Sequence, residues 1–164
     1  MIITQTPFRM SFFGGGTDFP DFYREHGGAV ISTTFDKYCY VKCTASSALF
    51  LDYSTELSYA RTERVKRVED IEHPAIREAM KHLDMHEIRL TYEADLPARS
   101  GLGTSSSFAV GMLNAFLCFQ KVNMRINESW PMTLIFLERV LCNESGGVQD
   151  QIAASFGGMN RIKF

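Results

Sequence analysis

Hydrophobic and polar positions predict strands through much of the chain. Three segments, IITQTPFRMSFF (2–13), AVISTTFDKYCYVKCTAS (29–46) and EIRLTYEADL (87–96), are rich in the β-branched and aromatic residues that favour strands. The second segment is long enough for two strands joined around Asp36 and Lys37. Shorter strands are expected in ALFLDY and ELSYARTERVKRV, and MNRIKF predicts a last strand.

Other segments have helical spacing or helix-boundary residues. The expected helices are FPDFYREHG, PAIREAMKHLDMH, the segment from the SSS run to about Val122, Met132 to Cys142, and a helix that begins near Asp150. Asp18 is a candidate cap of the first helix, and Gly27 would close it. Strands that come mostly before helices indicate one α+β domain, with an antiparallel or mixed sheet covered by helices.

Composition narrows the classes of function. The chain has 164 residues with 45% hydrophobic and 22% charged, which is typical of a globular domain. A net charge of -2 gives no electrostatic footprint for nucleic acid or an anionic membrane. No apolar run approaches a membrane span of about 18 residues. We expect neither nucleic acid nor membrane as a partner, and the basic run Arg61–Arg67 is interpreted as a solvated surface.

The cysteines favour a reducing compartment. They form neither a CxxC pair nor a regular framework, and each lies in an apolar run, so buried free thiols are expected. These residues are Cys39, Cys43, Cys118 and Cys142. The N-terminus lacks the cationic start and long apolar core of a signal peptide. The expected location is therefore the cytoplasm.

The stretch LPARSGLGTSSSFAVGMLNAF, Leu96 to Phe116, places small and hydroxyl residues ahead of a helix that is apolar on nearly every side. Such a helix must be enclosed by protein, and its first N–H groups need partners. Two interpretations are open: Thr104, Ser105 and Ser106 cap these groups, or glycines and free amides bind an anion, most often phosphate. The spacing matches neither a Walker A loop nor a dinucleotide-binding fingerprint.

Three stretches resemble the GHMP kinases, the family of galactokinase and of homoserine, mevalonate and phosphomevalonate kinases. LPARSGLGTSSS is similar to the family's phosphate-binding motif, approximately PxGxGLGSSA, with Arg99 where glycine is usual. PFRMSFFGGGTDFPDFY resembles the N-terminal substrate motif, in the GGGTD form of heptose 7-phosphate kinases and related sugar 1-kinases. LERVLCNESGGVQDQIAASFGG is similar to the segment with the metal-binding glutamate and catalytic aspartate.

This resemblance covers nearly the whole chain and implies both a fold and a reaction. The fold would be that of the N-terminal GHMP kinase domain, related to domain 2 of ribosomal protein S5, over residues 1–164. The reaction would transfer the γ-phosphoryl group of ATP, with Mg²⁺, to the anomeric hydroxyl of a sugar, most closely a heptose 7-phosphate. The implied nucleotide-binding residues are Pro97, Gly101, Leu102, Gly103, Thr104, Ser105 and Ser106.

The same resemblance implies roles for four further side chains. Ser105 and Glu138 would hold Mg²⁺, which prefers oxygen ligands. Asp150 would orient or deprotonate the acceptor hydroxyl, and Arg9 would stabilise that carboxylate. Each has a structural alternative: Glu138 pairs with an arginine such as Arg139 or lies at a rim, Asp150 caps a helix, and Arg9 is a surface charge.

The substrate motif is expected to contact the sugar through Gly14, Gly15, Gly16, Thr17 and Asp18. Its structural alternatives are a tight turn at the glycines and the helix cap at Asp18. Family members continue into a second domain, which we expect to be absent from this chain, so the chain would be either a piece of a longer kinase or a short relative. We expect self-association through the surface left uncovered. The alternative function is a non-catalytic module that binds nucleotide or sugar phosphate.

Overall fold

The computed structural model describes residues 1–46, 52–98, 100–121, 135 and 146–164. Within these ranges no helix is long and apolar enough to cross a bilayer. A 3₁₀ turn, Val68–Asp70, follows the fourth strand. The elements in chain order are β1 (Ile2–Phe13), α1 (Pro20–His26), β2 (Ala29–Ala45), β3 (Thr55–Ser58), β4 (Thr62–Val65), α2 (Pro74–His82), β5 (Ile88–Ala94), α3 (Thr104–Phe119), α4 (Gln149–Phe156) and β6 (Met159–Lys163).

The strands form one mixed sheet organised around β2. Strand β1 pairs antiparallel with β2 along most of its length, from Ile2 opposite Cys43 to Phe13 opposite Ile31. The other edge of β2 is divided, because its first part pairs with β6 and its last part with β5. Strand β5 then pairs in parallel with β3, which pairs antiparallel with β4. The predicted α+β class with a mixed sheet is confirmed.

The prediction of two strands in residues 29–46 was wrong. Asp36 and Lys37 lie inside one continuous strand of 17 residues. The strand changes partner near this point, from β6 at Thr33 to β5 at Cys39, while β1 stays paired on the opposite edge. The polar residues therefore mark the change of neighbour and do not mark a turn.

Helix α3 lies against β1 and β2, and its apolar side chains supply much of the core. Met112 and Phe116 are fully buried, as are Leu57, Leu90 and Met80 from β3, β5 and α2. The Thr4 hydroxyl of β1 donates to the Gly111 carbonyl of α3 at 2.8 Å, which satisfies a polar group inside this contact. The prediction that protein encloses α3 is confirmed for most of its length.

Several predicted helix boundaries need correction. Asp18 does not cap α1, which begins after Phe19 without a side-chain cap, although Gly27 does end it. Helix α2 ends at His82 instead of continuing to residue 86, since Asp84 and Glu87 have positive φ angles that end the helical path. The predicted helix Met132–Cys142 and most of the predicted strand in ALFLDY lie outside the described residues.

The cysteine prediction holds for two residues. Cys39 and Cys43 of β2 are free and fully buried, and burial raises the pKa of each thiol to about 12. Cys118 is free but exposed, because it lies on the side of α3 that turns away from the sheet near the end of the helix. Cys142 lies outside the described residues.

Candidate active site

A paired arginine and carboxylate join β1 to the start of α4. The Arg9 Nε donates to Asp150 Oδ1 at 2.7 Å, and the second terminal nitrogen donates to Asp150 Oδ2 at 2.8 Å. The side chains are 13% and 25% exposed, so the pair is mostly shielded but still open to solvent. A two-pronged contact of this kind fixes the direction of the carboxylate as well as its distance. The alternative that Arg9 is an unattached surface charge is wrong.

The same arginine also holds the glycine-rich loop before α3. The remaining Arg9 nitrogen, Nη1, donates to the Gly101 carbonyl at 2.8 Å, and the Arg9 backbone N–H donates to the Leu102 carbonyl at 3.1 Å. Gly103 follows in the left-handed conformation, with φ of 76°. A side chain there would place its first carbon 3.1 Å from Arg9 Cγ and 3.5 Å from Asp150 Oδ2. Glycine therefore permits the left-handed turn and avoids a tight contact with the Arg9 side chain.

The N-terminus of α3 has no side-chain cap. Gly103 occupies the cap position, and none of the predicted hydroxyl caps is formed, so that interpretation of Thr104, Ser105 and Ser106 was wrong. Ser105 is exposed, whereas Thr104 and Ser106 are buried. The positive end of the helix dipole and the amides of the first turn are thus available at the loop. Pro97 is exposed at the start of this loop, and Arg99 lies outside the described residues.

An aromatic pocket opens beside this helix terminus. Its volume is about 460 Å³, and its lining is mostly apolar. The lining residues come from the β3–β4 turn, the start of α2, β5, the glycine-rich loop and the first turns of α3. They are Tyr59, Ala60, His73, Pro74, Ala75, Tyr92, Ala98, Thr104, Ser105, Phe108 and Ala109. Ser105 therefore lies both in the first turn of α3, next to the glycine-rich loop, and in the lining of the pocket.

Four rings form the wall of the aromatic pocket. Tyr59 meets His73 edge to face at 5.2 Å between ring centroids, His73 meets Phe108 at 5.5 Å, and Phe108 meets Tyr92 at 4.9 Å. Burial raises the pKa of both tyrosine hydroxyls, so they stay neutral near pH 7. Sequence reasoning missed this pocket, because its walls come from five separate segments with no common motif.

Glu63 accepts a hydrogen bond from Tyr59, one of the four rings of the pocket wall. It belongs to the basic run that was interpreted as a solvated surface, yet only 6% of its side chain is exposed. Its carboxylate accepts hydrogen bonds from the Tyr59 hydroxyl and from the Glu72 backbone N–H, the latter at 2.7 Å. Burial alone would raise the pKa of Glu63, but these hydrogen bonds and the nearby Arg61 charge lower it overall. The surface interpretation was therefore wrong at this position.

The substrate motif forms a tight turn next to β2. The Thr17 N–H and hydroxyl both reach the Gly14 carbonyl, at 3.0 and 2.8 Å, which bears out the tight-turn alternative at the glycines. Gly15 and Gly16 are exposed and have open space around them. Asp18 is fully buried beneath this turn, so it does not face solvent in this structure.

Asp18 reaches the start of α4 instead of capping α1. Its Oδ2 accepts the Gln149 backbone N–H and its Oδ1 accepts the Gln149 side-chain amide, both at 3.2 Å. Gln149 in turn accepts the Ser11 hydroxyl of β1 at 2.6 Å. Sequence reasoning assigned no role to Gln149 or Ser11; the only signal was the position of Gln149 directly before Asp150.

The structure thus brings three of the predicted motifs together around Asp150. Asp150 lies inside the first turn of α4, whose cap position is Val148, so the alternative of Asp150 as a helix cap was wrong. Ser105 lies two residues beyond Gly103, where an added Cβ would come 3.5 Å from Asp150 Oδ2. Glu138 lies outside the described residues, and within the described part of the chain no three His, Cys, Asp or Glu side chains cluster as metal ligands.

Comparisons with known proteins give the same picture. Residues 63–158 match the family model described as GHMP kinases N terminal domain. The chain is 30% identical to D-glycero-alpha-D-manno-heptose 7-phosphate kinase of Campylobacter jejuni, over 99% of this chain and 50% of that protein. The chain therefore spans about half the length of this curated relative.

Two solved structures show the same fold. A D-glycero-D-manno-heptose 1-phosphate kinase from Bacteroides thetaiotaomicron has a TM-score of 0.85 and 26% identity, over 100% of this chain and 56% of that one. The mevalonate kinase of Methanococcus jannaschii has a TM-score of 0.74 at 16% identity, over 99% and 53%. With the matched family model and the geometry around Asp150, these findings show that the chain belongs to the GHMP kinase family and has the fold of its N-terminal domain.

Proposed function

We propose that this chain is the nucleotide-binding domain of an ATP-dependent sugar kinase that phosphorylates the anomeric hydroxyl of a heptose 7-phosphate. The observation that carries the proposal is the position of Asp150. Its carboxylate is oriented by both prongs of Arg9, and the third nitrogen of Arg9 donates to the Gly101 carbonyl in the loop before the uncapped N-terminus of α3. Phosphoryl transfer depends mainly on positioning and on neutralising charge, and this arrangement supplies both.

The glycine-rich loop and the first turn of α3 would bind the phosphates of ATP. Helix N-termini with free amides favour anions, and the exposed Ser105 hydroxyl adds a donor. Arg9 donates hydrogen bonds to the carbonyl oxygens of Gly101 and Leu102, so these two acceptors already have partners. Pro97, Thr104 and Ser106 complete the loop and its first helical turn in this proposal.

The aromatic pocket would hold the base of the nucleotide. Its volume of about 460 Å³ lies within the usual range for small-molecule sites, roughly 300–1,000 Å³. Aromatic rings and apolar side chains suit a flat heterocycle, and Ser105 connects the pocket to the phosphate loop. One nucleotide would therefore span both features without crossing the protein interior.

Mg²⁺ would be held by the Ser105 hydroxyl and by Glu138, together with phosphate oxygens and water. The exposed Ser105 hydroxyl fits this role, since Mg²⁺ takes few protein ligands and requires oxygen donors. The bound ion would neutralise negative charge on the phosphates. Asp150 would accept a hydrogen bond or proton from the acceptor hydroxyl, while Arg9 keeps its carboxylate aimed at that site.

The sugar would lie between the GGGTD turn and Asp150. Gly15 and Gly16 are exposed and their surroundings are open, so they form the accessible part of this motif, although the Gly16 N–H already donates to Asp18. Gly14 and Thr17 hold the turn, and Asp18 anchors it from below. The choice of a heptose phosphate is supported by the names of the two relatives with 30% and 26% identity.

An assay of ADP release tests the proposal. The chain is incubated with MgATP and D-glycero-D-manno-heptose 7-phosphate, and galactose and mevalonate serve as competing acceptors. We expect release with the heptose phosphate, and a loss of about 100-fold or more in Asp150→Asn. The matched control is Asp84→Asn, which makes the same chemical change at a carboxylate that is 96% exposed and should retain the wild-type rate.

The alternative function has a distinct result. If the chain releases no ADP above background but is stabilised against heat by ATP, it is a binding module and not a complete kinase. This alternative is kept because the chain covers about half the length of its relatives. Release with galactose or mevalonate alone would retain the kinase but replace the proposed acceptor.

A further inference from the structure

Gln149 lies at the point where three parts of the molecule meet. It is the first residue of α4, it is 9% exposed, and it directly precedes Asp150. Its side-chain amide donates to Asp18 at 3.2 Å, and its side-chain carbonyl accepts the Ser11 hydroxyl at 2.6 Å. Each polar atom of this side chain therefore has a partner on a different segment.

The contact with Asp18 reaches the substrate turn. Asp18 Oδ1 accepts both the Gln149 side-chain amide and the Gly16 backbone N–H, each at 3.2 Å. Asp18 Oδ2 accepts the Gln149 backbone N–H, also at 3.2 Å. One fully buried carboxylate thus ties the exposed glycine turn to the first residue of α4.

The fit around Asp18 leaves no room for a side chain at Gly147. The Cα of Gly147 faces this carboxylate so closely that a side chain there would place its first carbon 1.7 Å from Asp18 Oδ2. The segment leading into α4 is therefore in direct contact with the Asp18 carboxylate, which also binds Gln149. A buried carboxylate needs hydrogen bonds from several sides, and here Gly16 and Gln149 supply them.

The contact with Ser11 fastens the same residue to β1. Ser11 and Arg9 are two residues apart on this strand, and they bind the adjacent residues Gln149 and Asp150 of α4. Two neighbouring bonds between one strand and one helical turn restrict rotation of that turn better than the Arg9 pair alone. The direction of the Asp150 carboxylate therefore depends on Gln149 as well as on Arg9.

We propose that Gln149 is a positioning residue, which couples the substrate turn to Asp150 through Asp18 and Ser11. This inference rests on the proposed function for its effect on the reaction, but the coupling itself is a property of the fold. Gln149 does not act on the substrate in this proposal. It holds Asp150 in a fixed position relative to the exposed turn at Gly15 and Gly16, where the acceptor sugar would lie.

The first test measures the coupling without any reaction. Gln149→Met keeps the length of the side chain and removes its hydrogen bonds to Asp18 and Ser11. We expect hydrogen exchange at the Gly16 amide to become at least tenfold faster, while amides in the middle of α3 keep their wild-type rates. The control is Ser155→Ala, which removes a buried hydrogen bond to Gln151 within the same helix and should leave Gly16 unchanged.

The second test measures the effect on the reaction with MgATP and the heptose phosphate. Gln149→Met should lower kcat at least tenfold and change the KM for ATP less than twofold, because the phosphate loop and aromatic pocket are untouched. Ser155→Ala should retain wild-type kcat. The double variant Ser11→Ala/Gln149→Met should be no slower than Gln149→Met alone, since both substitutions break the same bond.

The outcomes separate the two proposals. Unchanged exchange at Gly16 in Gln149→Met overturns the coupling, whatever the activity. Faster exchange with kcat retained within twofold overturns the positioning role. A wild-type chain that transfers no phosphoryl group contradicts the proposed function, and the exchange measurement alone then supports or overturns the coupling.

Discussion

Two regions beside the N-terminus of α3 differ in how their side chains are held. The carboxylate cluster, defined as Arg9, Asp18, Gln149 and Asp150, is joined by hydrogen bonds of 2.7 to 3.2 Å between charged and amide groups. The aromatic pocket has rings that meet at centroid distances of 4.9 to 5.5 Å and enclose open space of about 460 Å³. The side chains of the carboxylate cluster are hydrogen-bonded to one another, whereas the aromatic pocket encloses space of the size that a small-molecule ligand fills.

This difference indicates how each region responds to change. Directional hydrogen bonds fix angles, so a substitution in the carboxylate cluster displaces a reacting group and affects the rate. Apolar contact is not directional, so a substitution in the aromatic pocket changes the space available and affects affinity. Substitutions in the carboxylate cluster should therefore change kcat, and substitutions in the aromatic pocket should change the KM for ATP.

Among substitutions that leave Asp150 in place, the largest expected effect is that of Arg9→Met. This substitution removes both bonds to Asp150 and the bond to the Gly101 carbonyl, so the carboxylate and the phosphate loop lose their common support. We expect kcat to fall about 100-fold, the scale expected for a misplaced reacting group. Steady-state kinetics with MgATP and heptose 7-phosphate measure it.

The control for Arg9 is Arg24→Met, which removes the same charge from an exposed position on α1. It should leave kcat within twofold of wild type. If Arg9→Met also retains kcat within threefold, the carboxylate does not need its fixed direction. The contrast between the two regions would then be wrong.

The carboxylate cluster also shows what a sequence reveals and what it does not. Arg9 and Asp150 are 141 residues apart, and their meeting was expected only because both positions match family motifs. Asp18 was expected at the sugar and at a helix cap, but it lies buried against Gln149. Hydrogen-bond partners across the fold depend on tertiary packing, which residue spacing along one segment does not encode.

The second prediction concerns the mouth of the aromatic pocket. Ala98 is exposed and lines this opening, so Ala98→Phe should occupy part of the space without disturbing the core. We expect the KM for ATP to rise about tenfold, equivalent to about 1.4 kcal/mol, with kcat unchanged. Calorimetric titration with ATP gives the same affinity independently of turnover.

Ala98→Ser is the matched control, since it changes polarity at the same position with little change in volume. It should bind ATP as wild type does. A normal ATP affinity in Ala98→Phe would show that the nucleotide does not enter the aromatic pocket, and a fall in kcat alone would show that the two regions are not separable.

The aromatic pocket was harder to foresee than the sheet. The β-branched and aromatic residues of β1 and β5 predict strands because this enrichment is local to each segment. The pocket instead needs Tyr59, His73, Tyr92 and Phe108 to converge from four segments. The burial of Glu63 also depends on tertiary packing. Its neighbours in sequence are arginines and a lysine, but the fold turns its side chain inward.

The smallest expected effect is that of Glu63→Gln on stability. The folded protein holds the pKa of Glu63 below its ordinary value, so its ionised form stabilises the fold above about pH 4.3. This contribution is lost as pH falls through the lower folded pKa. Urea unfolding should show the variant less stable by about 1 kcal/mol at pH 7, with the difference shrinking toward pH 3.

Glu69→Gln provides the comparison for Glu63, because it neutralises an exposed carboxylate six residues further along the chain. It should change the free energy of unfolding little at either pH. Because Glu and Gln have nearly the same shape, a Glu63 effect that persists undiminished at pH 3 would mean that hydrogen bonding by the neutral carboxyl group, and not charge, holds Tyr59 in place. The wall of the aromatic pocket would then be held without ionic charge, and its contrast with the carboxylate cluster would be sharper than the structure indicates.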